Sequence, residues 1–173
     1  DALVGALRVP ILGGLNRGSW WSIASAGGGY GTGRRAHAQM SVLHALPRPG
    51  DVAWDVGAHH GNVTLLAARR VGAAGSVHAF EPSKRNRAQL VRHVRWNRLE
   101  NVRVHGVALS DRDGDASFGG SGSSTMYALG HGAERVRTRR AKTLVREGQV
   151  ERPTFVKLDV EGAEAAAISG MLE

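Results

Sequence analysis

The sequence contains no cysteine, which excludes a disulfide framework, thiolate catalysis and cysteine-held metal sites. It has no long apolar run either. The opening stretch from Ala2 to Leu15 is apolar but is interrupted by Arg8 and Pro10. That stretch is too short and broken to span a bilayer, and it lacks the basic start and cleavage site of a signal peptide. It reads as a packing or cap segment, and the expected location is the cytoplasm. No internal repeat is evident, and no clustered ligand set assembles for a metal, so none is expected. What is present suits one domain: 173 residues, 42% of them apolar, enough for a core and too many for a disordered chain. The formal charge of +8 comes mostly from arginine. Such a charge suits an acidic partner such as RNA or an anionic membrane. Because Arg, Ala and Gly are abundant together, a general compositional bias explains it better, and nucleic acid is not the expected partner.

The organising stretch is Gly50 to Gly61, introduced by the turn signal Pro47-Arg-Pro-Gly50. The spacing predicts a strand over about Val52 to Val56, a glycine loop, and a helix over Asn62 to Val71 ended by Gly72. Before it lie a lead-in of residues 1–34, containing the Gly-rich loop Gly27 to Gly33, and a helical stripe over Ala36 to Leu46. The loop reads equally as a substrate lid, with Tyr30 as its contact, or as a linker. After it come a strand over Ser76 to Phe80 and a helix capped by Ser83 and running to about Arg98. Leu90, Val91 and Val94 form that helix's apolar side; Lys84, Arg85, Arg87, Arg92, Arg95 and Arg98 form its solvated face. A third strand is expected over Val102 to Ala108, and hairpin strands over Ala116 to Phe118 and Arg135 to Thr138. A short helix over Lys142 to Glu147, a buried strand over Phe155 to Val160 and a final helix complete the pattern. Strands alternating with helices imply an α/β fold with a mostly parallel sheet.

Strand, glycine loop and helix N-terminus in that order make a nucleotide-type cradle. The spacing Asp55-x-Gly57-x-x-x-Gly61 departs from Gly-x-Gly-x-x-Gly, the fingerprint that presses backbone against a pyrophosphate. A looser loop fits a ligand without phosphates, such as S-adenosylmethionine, its amino-acid end over the turn formed by Gly57, Ala58, His59, Gly61 and Asn62. Asp55 is a candidate for its ammonium group, directly or through water. Glu81, ending the second strand before Pro82, is placed to accept two ribose hydroxyls; the plainer reading is a surface charge. Val107 and Ala108 lie where an adenine would pack, or are core. Asp159 and Glu161 precede the last helix and either position and deprotonate a hydroxyl or cap that helix. Glu164 reads as a first-turn helix acid. His59 and His60 have the intrinsic pKa of a base, with His60 also a substrate candidate; as polar residues at a helix start they equally just shape the loop.

These blocks resemble the FkbM family of S-adenosylmethionine-dependent methyltransferases. The resemblance covers roughly Pro47 to Met171. Its carriers are Gly50-Asp51 with Asp55 to Gly61, Phe80-Glu-Pro82, Asn97 to Val102, Val107 to Asp111 and above all Lys157-Leu-Asp-Val-Glu-Gly-Ala-Glu164. It implies the Rossmann-like class I methyltransferase fold, a methyltransferase domain over residues 35–173, Asp55, Gly57, Gly61 and Glu81 as cofactor residues, and O-methylation of a hydroxyl on a small molecule, natural product or sugar. Two other readings compete with it: an RNA methyltransferase, and a non-catalytic domain that binds an adenosine cofactor. The family often has Asn where His59 stands, and Asp where Val145 follows Thr143-Leu144. The expected chain is a fragment whose C-terminal strands are missing, leaving the strand of Asp159 as an exposed edge.

Overall fold

The computed structural model describes residues 7–25, 45–120 and 128–172. The Gly-rich loop with Tyr30, the boundary between residues 34 and 35, and the stripe over residues 36–44 lie outside the described residues. An antiparallel hairpin comes first, β1 (Arg8–Pro10) and β2 (Trp20–Ser22). The central unit follows as β3 (Val52–Val56), α1 (Asn62–Val71), β4 (Ser76–Phe80), α2 (Lys84–Trp96) and β5 (Val102–His105). Next come β6 (Val107–Leu109), β7 (Gly114–Gly119), β8 (Ala128–Leu129), β9 (Glu134–Arg139), α3 (Ala141–Arg146), β10 (Phe155–Leu158) and α4 (Glu164–Leu172).

The main sheet of the described residues is parallel, as the sequence pattern predicts, in the order β10-β3-β4-β5. Alternation along each strand sorts the two faces. Ala53, Val77 and Ala79 point to one side, where they pack with Ala67, Ala68 and Val71 of α1 and Leu90 of α2. Trp54, Val56 and Phe80 point to the other, against Ala141 and Leu144 of α3 and Ala167 of α4. Helices on both faces leave β3 and β4 almost wholly buried, which is why both read as apolar runs.

Two sequence expectations need correction. The third strand is not continuous: it breaks at Gly106, and β6 leaves for a second sheet of order β6-β9-β7-β8. At the break, the Arg87 guanidinium lies where any side chain at position 106 would be, 2.8 Å from an ideal Cβ. Arg87 is therefore not part of the solvated face. It turns inward and donates to the carbonyls of Glu81 (3.0 Å) and Pro82 (2.8 Å). Val91, conversely, is exposed, and the buried inner face of α2 is made by Asn86, Leu90 and His93.

Buried polar residues tie this face together. His78 is fully buried; its Nε2–H donates to the Glu151 carboxylate at 2.7 Å, and its Nδ1 shares a hydrogen bond with His105 Nε2 at 2.9 Å. Among the described residues no helix is long and apolar enough to cross a membrane.

Candidate active site

The carboxyl ends of β3, β4, β6 and β10 open onto one cavity of about 180 Å³. Of the sequence candidates, Gly57, Ala58, His59, His60 and Asn62 line it from the glycine loop, and Glu81 and Pro82 from the end of β4. Val107 and Ala108 line it from β6, and Asp159 and Glu161 from beyond β10. The topology thus brings together residues spread over more than half the sequence, at the edge where open parallel sheets bind ligands.

Glu81 is its most informative group. The residue is only 4% exposed, and its carboxylate accepts the His59 N–H at 2.7 Å and the Ser83 N–H at 2.9 Å. Burial pushes its pKa up, and these two N–H donors together with Asn86 pull against that rise. A carboxylate has about four lone-pair sites, so these contacts leave acceptor capacity for a ligand hydroxyl. Val107, Ala108 and Phe80 give the apolar wall beside it. An acid so placed, next to an apolar slot, fits the ribose and base of an adenosine.

Asp55 does not line the cavity. It is 1% exposed beneath the loop, where its Oδ2 accepts from the Thr64 hydroxyl at 2.6 Å. Its Oδ1 lies 3.1 Å from Lys157 Nζ, an ionic contact without hydrogen-bond alignment. Lys157 also donates to the carbonyls of Gly57 (2.8 Å) and Val56 (3.3 Å), and lies 3.9 Å from Asp159 Oδ2. Gly61 is likewise absent from the wall. Its φ of 92° turns the chain into α1, and a Cβ there would strike Leu90 at 2.5 Å. Gly57 has φ 77°, and a Cβ on it would sit 1.9 Å from the Asp159 carbonyl oxygen. Its lack of a side chain is demanded by the protein's own backbone.

His59 holds φ 50°, a left-handed conformation that Asn tolerates better than most residues. The rings of His59 and His60 stack at 3.9 Å. Burial, and then the Lys157 charge, lowers the pKa of His59; burial takes His60 down to about 3. Both are neutral at physiological pH, and His60 is a poor proton acceptor. Asp159, with its side chain 55% exposed, is open to an incoming molecule. Glu164 accepts the Val160 N–H at 3.2 Å in the first turn of α4, as its position predicts.

Sequence reasoning missed Lys157, Asn86 and Trp21 as cavity residues. A signal existed for Lys157: it is the lone cation in the apolar strand Phe155-Val-Lys-Leu158. Asn86 is the third residue after Ser83, whose hydroxyl takes its N–H. Nothing in the sequence places Trp21 there.

A parallel sheet flanked by helices, with a glycine loop after its first strand and a buried acid after its second, defines the class I methyltransferase fold. A crystal structure of methyltransferase FkbM from Methylobacillus flagellatus KT shares it, with a TM-score of 0.50 and 19% identity over 75% of this chain and 35% of that one. The chain belongs to the methyltransferase FkbM domain family, whose model matches residues 55–173. A curated relative is the hexuronic acid methyltransferase AglP of Haloferax volcanii, 30% identical over 125 residues. That match covers 70% of this chain and 50% of AglP, so the chain spans about half the length of this relative.

Proposed function

We propose that this chain binds S-adenosylmethionine along the cavity and transfers its methyl group to a hydroxyl of a small, sugar-type acceptor. The observation that carries the reading is the buried Glu81 carboxylate at the end of β4, with acceptor capacity left over and an apolar slot beside it. The name of the relative AglP supports a sugar acid as acceptor. When bound, this donor supplies a methyl group already activated by a sulfonium charge. The protein's own residues have three tasks. Glu81 and the glycine loop orient the donor, and orientation alone is worth several kcal/mol. Asp159, exposed at the cavity rim, takes the proton of the acceptor hydroxyl, a contribution of about 10²–10⁴-fold. Glu161, beside it with φ 49°, completes the acceptor side. Asp159 would hold the hydroxyl proton on a carboxylate oxygen while the acceptor oxygen gains the methyl group, the S–CH3 bond being broken and a neutral thioether left. We assign the reaction to the cytoplasm, which supplies this donor.

Calorimetry with S-adenosylhomocysteine tests the donor half: binding at micromolar strength is expected, weakened at least tenfold by Glu81→Ala. No binding to the unaltered chain sinks the reading. Transfer of labelled methyl groups to hexuronic acids and neutral sugars tests the acceptor half, with loss of turnover but retained donor affinity expected for Asp159→Asn.

A further inference from the structure

The β1–β2 hairpin lies ahead of residues 55–173, the family-matched region, yet it is built into the cavity. Trp21 of β2 forms part of the cavity wall. It is 1% exposed, packs with Ile11 and Leu65, and stacks on the ring of His93 at 3.8 Å and 17°. His93 uses both of its ring nitrogens. Nε2 accepts the Ser22 N–H at 2.9 Å, so the proton resides on Nδ1, which donates to the His60 carbonyl at 2.7 Å. One neutral imidazole therefore joins a hairpin backbone to the glycine-loop backbone. The carbonyl it holds lies between His59 (φ 50°) and Gly61 (φ 92°), two of the left-handed residues that shape the loop. A second clamp grips the other side of Gly61: Asn16 Nδ2 donates to the backbone carbonyl of Asn62 at 2.7 Å. Asn97 completes the docking by pairing with both backbone groups of Trp20, at 2.8 and 2.9 Å.

We propose that His93 is a positioning residue for the methyl donor, and that it couples docking of the β1–β2 hairpin to donor binding by fixing the His60 carbonyl. The proposal rests on the donor reading given above. Coupling is reciprocal: a hairpin that sharpens the loop for the donor is itself held down by the donor. Burial keeps the ring neutral, with its pKa lowered to about 4, so one tautomer serves both bonds at physiological pH.

Two measurements on the whole chain test this. In calorimetry with S-adenosylhomocysteine, His93→Phe keeps the stack on Trp21 but removes both hydrogen bonds, and the Kd is expected to rise about tenfold. His93→Gln restores one donor and one acceptor and is expected to recover most of that loss. In turnover assays the effect falls on the donor KM, with kcat changed much less. Hydrogen exchange on the unaltered chain gives the second readout: the amides of Trp20 to Ser22 are expected to slow at least about fivefold when S-adenosylhomocysteine is added. Unchanged exchange in that hairpin, with a His93→Phe Kd within about twofold of the unaltered chain, overturns the coupling while leaving the donor reading intact. Absence of any binding by the unaltered chain overturns both. Should His93→Phe fail to fold, the exchange measurement decides alone.

Discussion

Lys157→Met removes the ammonium and keeps most of the side-chain volume. In the folded chain Lys157 is the charge partner of Asp55, with side chains 8% and 2% exposed. Asp55 would be left with the Thr64 hydroxyl as its polar partner in a buried site, and the carbonyls of Val56 and Gly57 would lose a donor. Removing one member of a buried ion pair costs about 3–5 kcal/mol, because the other charge stays behind uncompensated. A domain of this size has about 5–15 kcal/mol in total, so the loss is a large fraction of it. With about 2–4 °C per kcal/mol, the melting midpoint should fall by roughly 10 °C. Urea unfolding followed by far-ultraviolet circular dichroism reads the same loss as a lower midpoint at unchanged slope. The physical argument makes a second, sharper demand. Adding Asp55→Asn to Lys157→Met removes the stranded charge while an amide still meets Thr64. The double variant should therefore be more stable than Lys157→Met alone, by about 1 kcal/mol or more. A single variant within about 1 kcal/mol of the unaltered chain, or a double variant that merely adds two losses, refutes the reasoning.

Gly57→Ala forces a Cβ to within 1.9 Å of the Asp159 carbonyl oxygen at φ 77°, so thermal unfolding should record a loss of several kcal/mol, and turnover should fall as Asp159 is displaced. His59→Asn suits φ 50° and should leave stability unchanged or raise it by a few tenths of a kcal/mol; a loss of more than about 1 kcal/mol in urea unfolding counts against a purely conformational role. Burial lowers His93 and His105 to about 4 and His60 to about 3, against an unfolded value of 6.5, so the unfolded chain takes up protons first as pH falls. Stability is then full above about pH 6.5 and is lost on the way down to about pH 4, with His93 alone contributing about 3 kcal/mol. Glu151 and Asp113, both lowered to about 2 by their hydrogen bonds, act only at more acid pH, so equal urea midpoints at pH 7.5 and 5 would dismiss the histidines.

The elements that position the site were legible where one physical signal dominated. Strand β3, helix α1 and strand β4 fall where apolar runs and glycines put them, and the N-cap hydroxyl of Ser83 receives the Asn86 N–H. Signals failed where a charged side chain turned inward. Arg87 looks like one of five similar cations on α2, yet it alone among them clamps the Glu81–Pro82 carbonyls, and its guanidinium fills the space beside Gly106 where the third strand breaks. His93 sits among arginines and still fills the core, because two backbone partners from distant segments satisfy its ring. Asp55 was legible as a key residue, but its burial follows from a register with Lys157 that spacing along the chain cannot reveal. Trp21 owes its place to a hairpin of two three-residue strands, too short for a periodicity to register.

The contact between Gly57 and the Asp159 carbonyl has a consequence for anyone redesigning this protein. The donor loop and the acceptor rim share a boundary with no side chain between them. On the function proposed above, a graft that re-aims the 159–163 turn toward a bulkier acceptor would push on the loop proposed to hold the cofactor, and a rebuilt loop would move Asp159, the proposed proton acceptor. Acceptor preference and cofactor affinity are therefore poor candidates for separate optimisation. The two segments should be transplanted as one cassette, with Lys157 carried along as the pin between them.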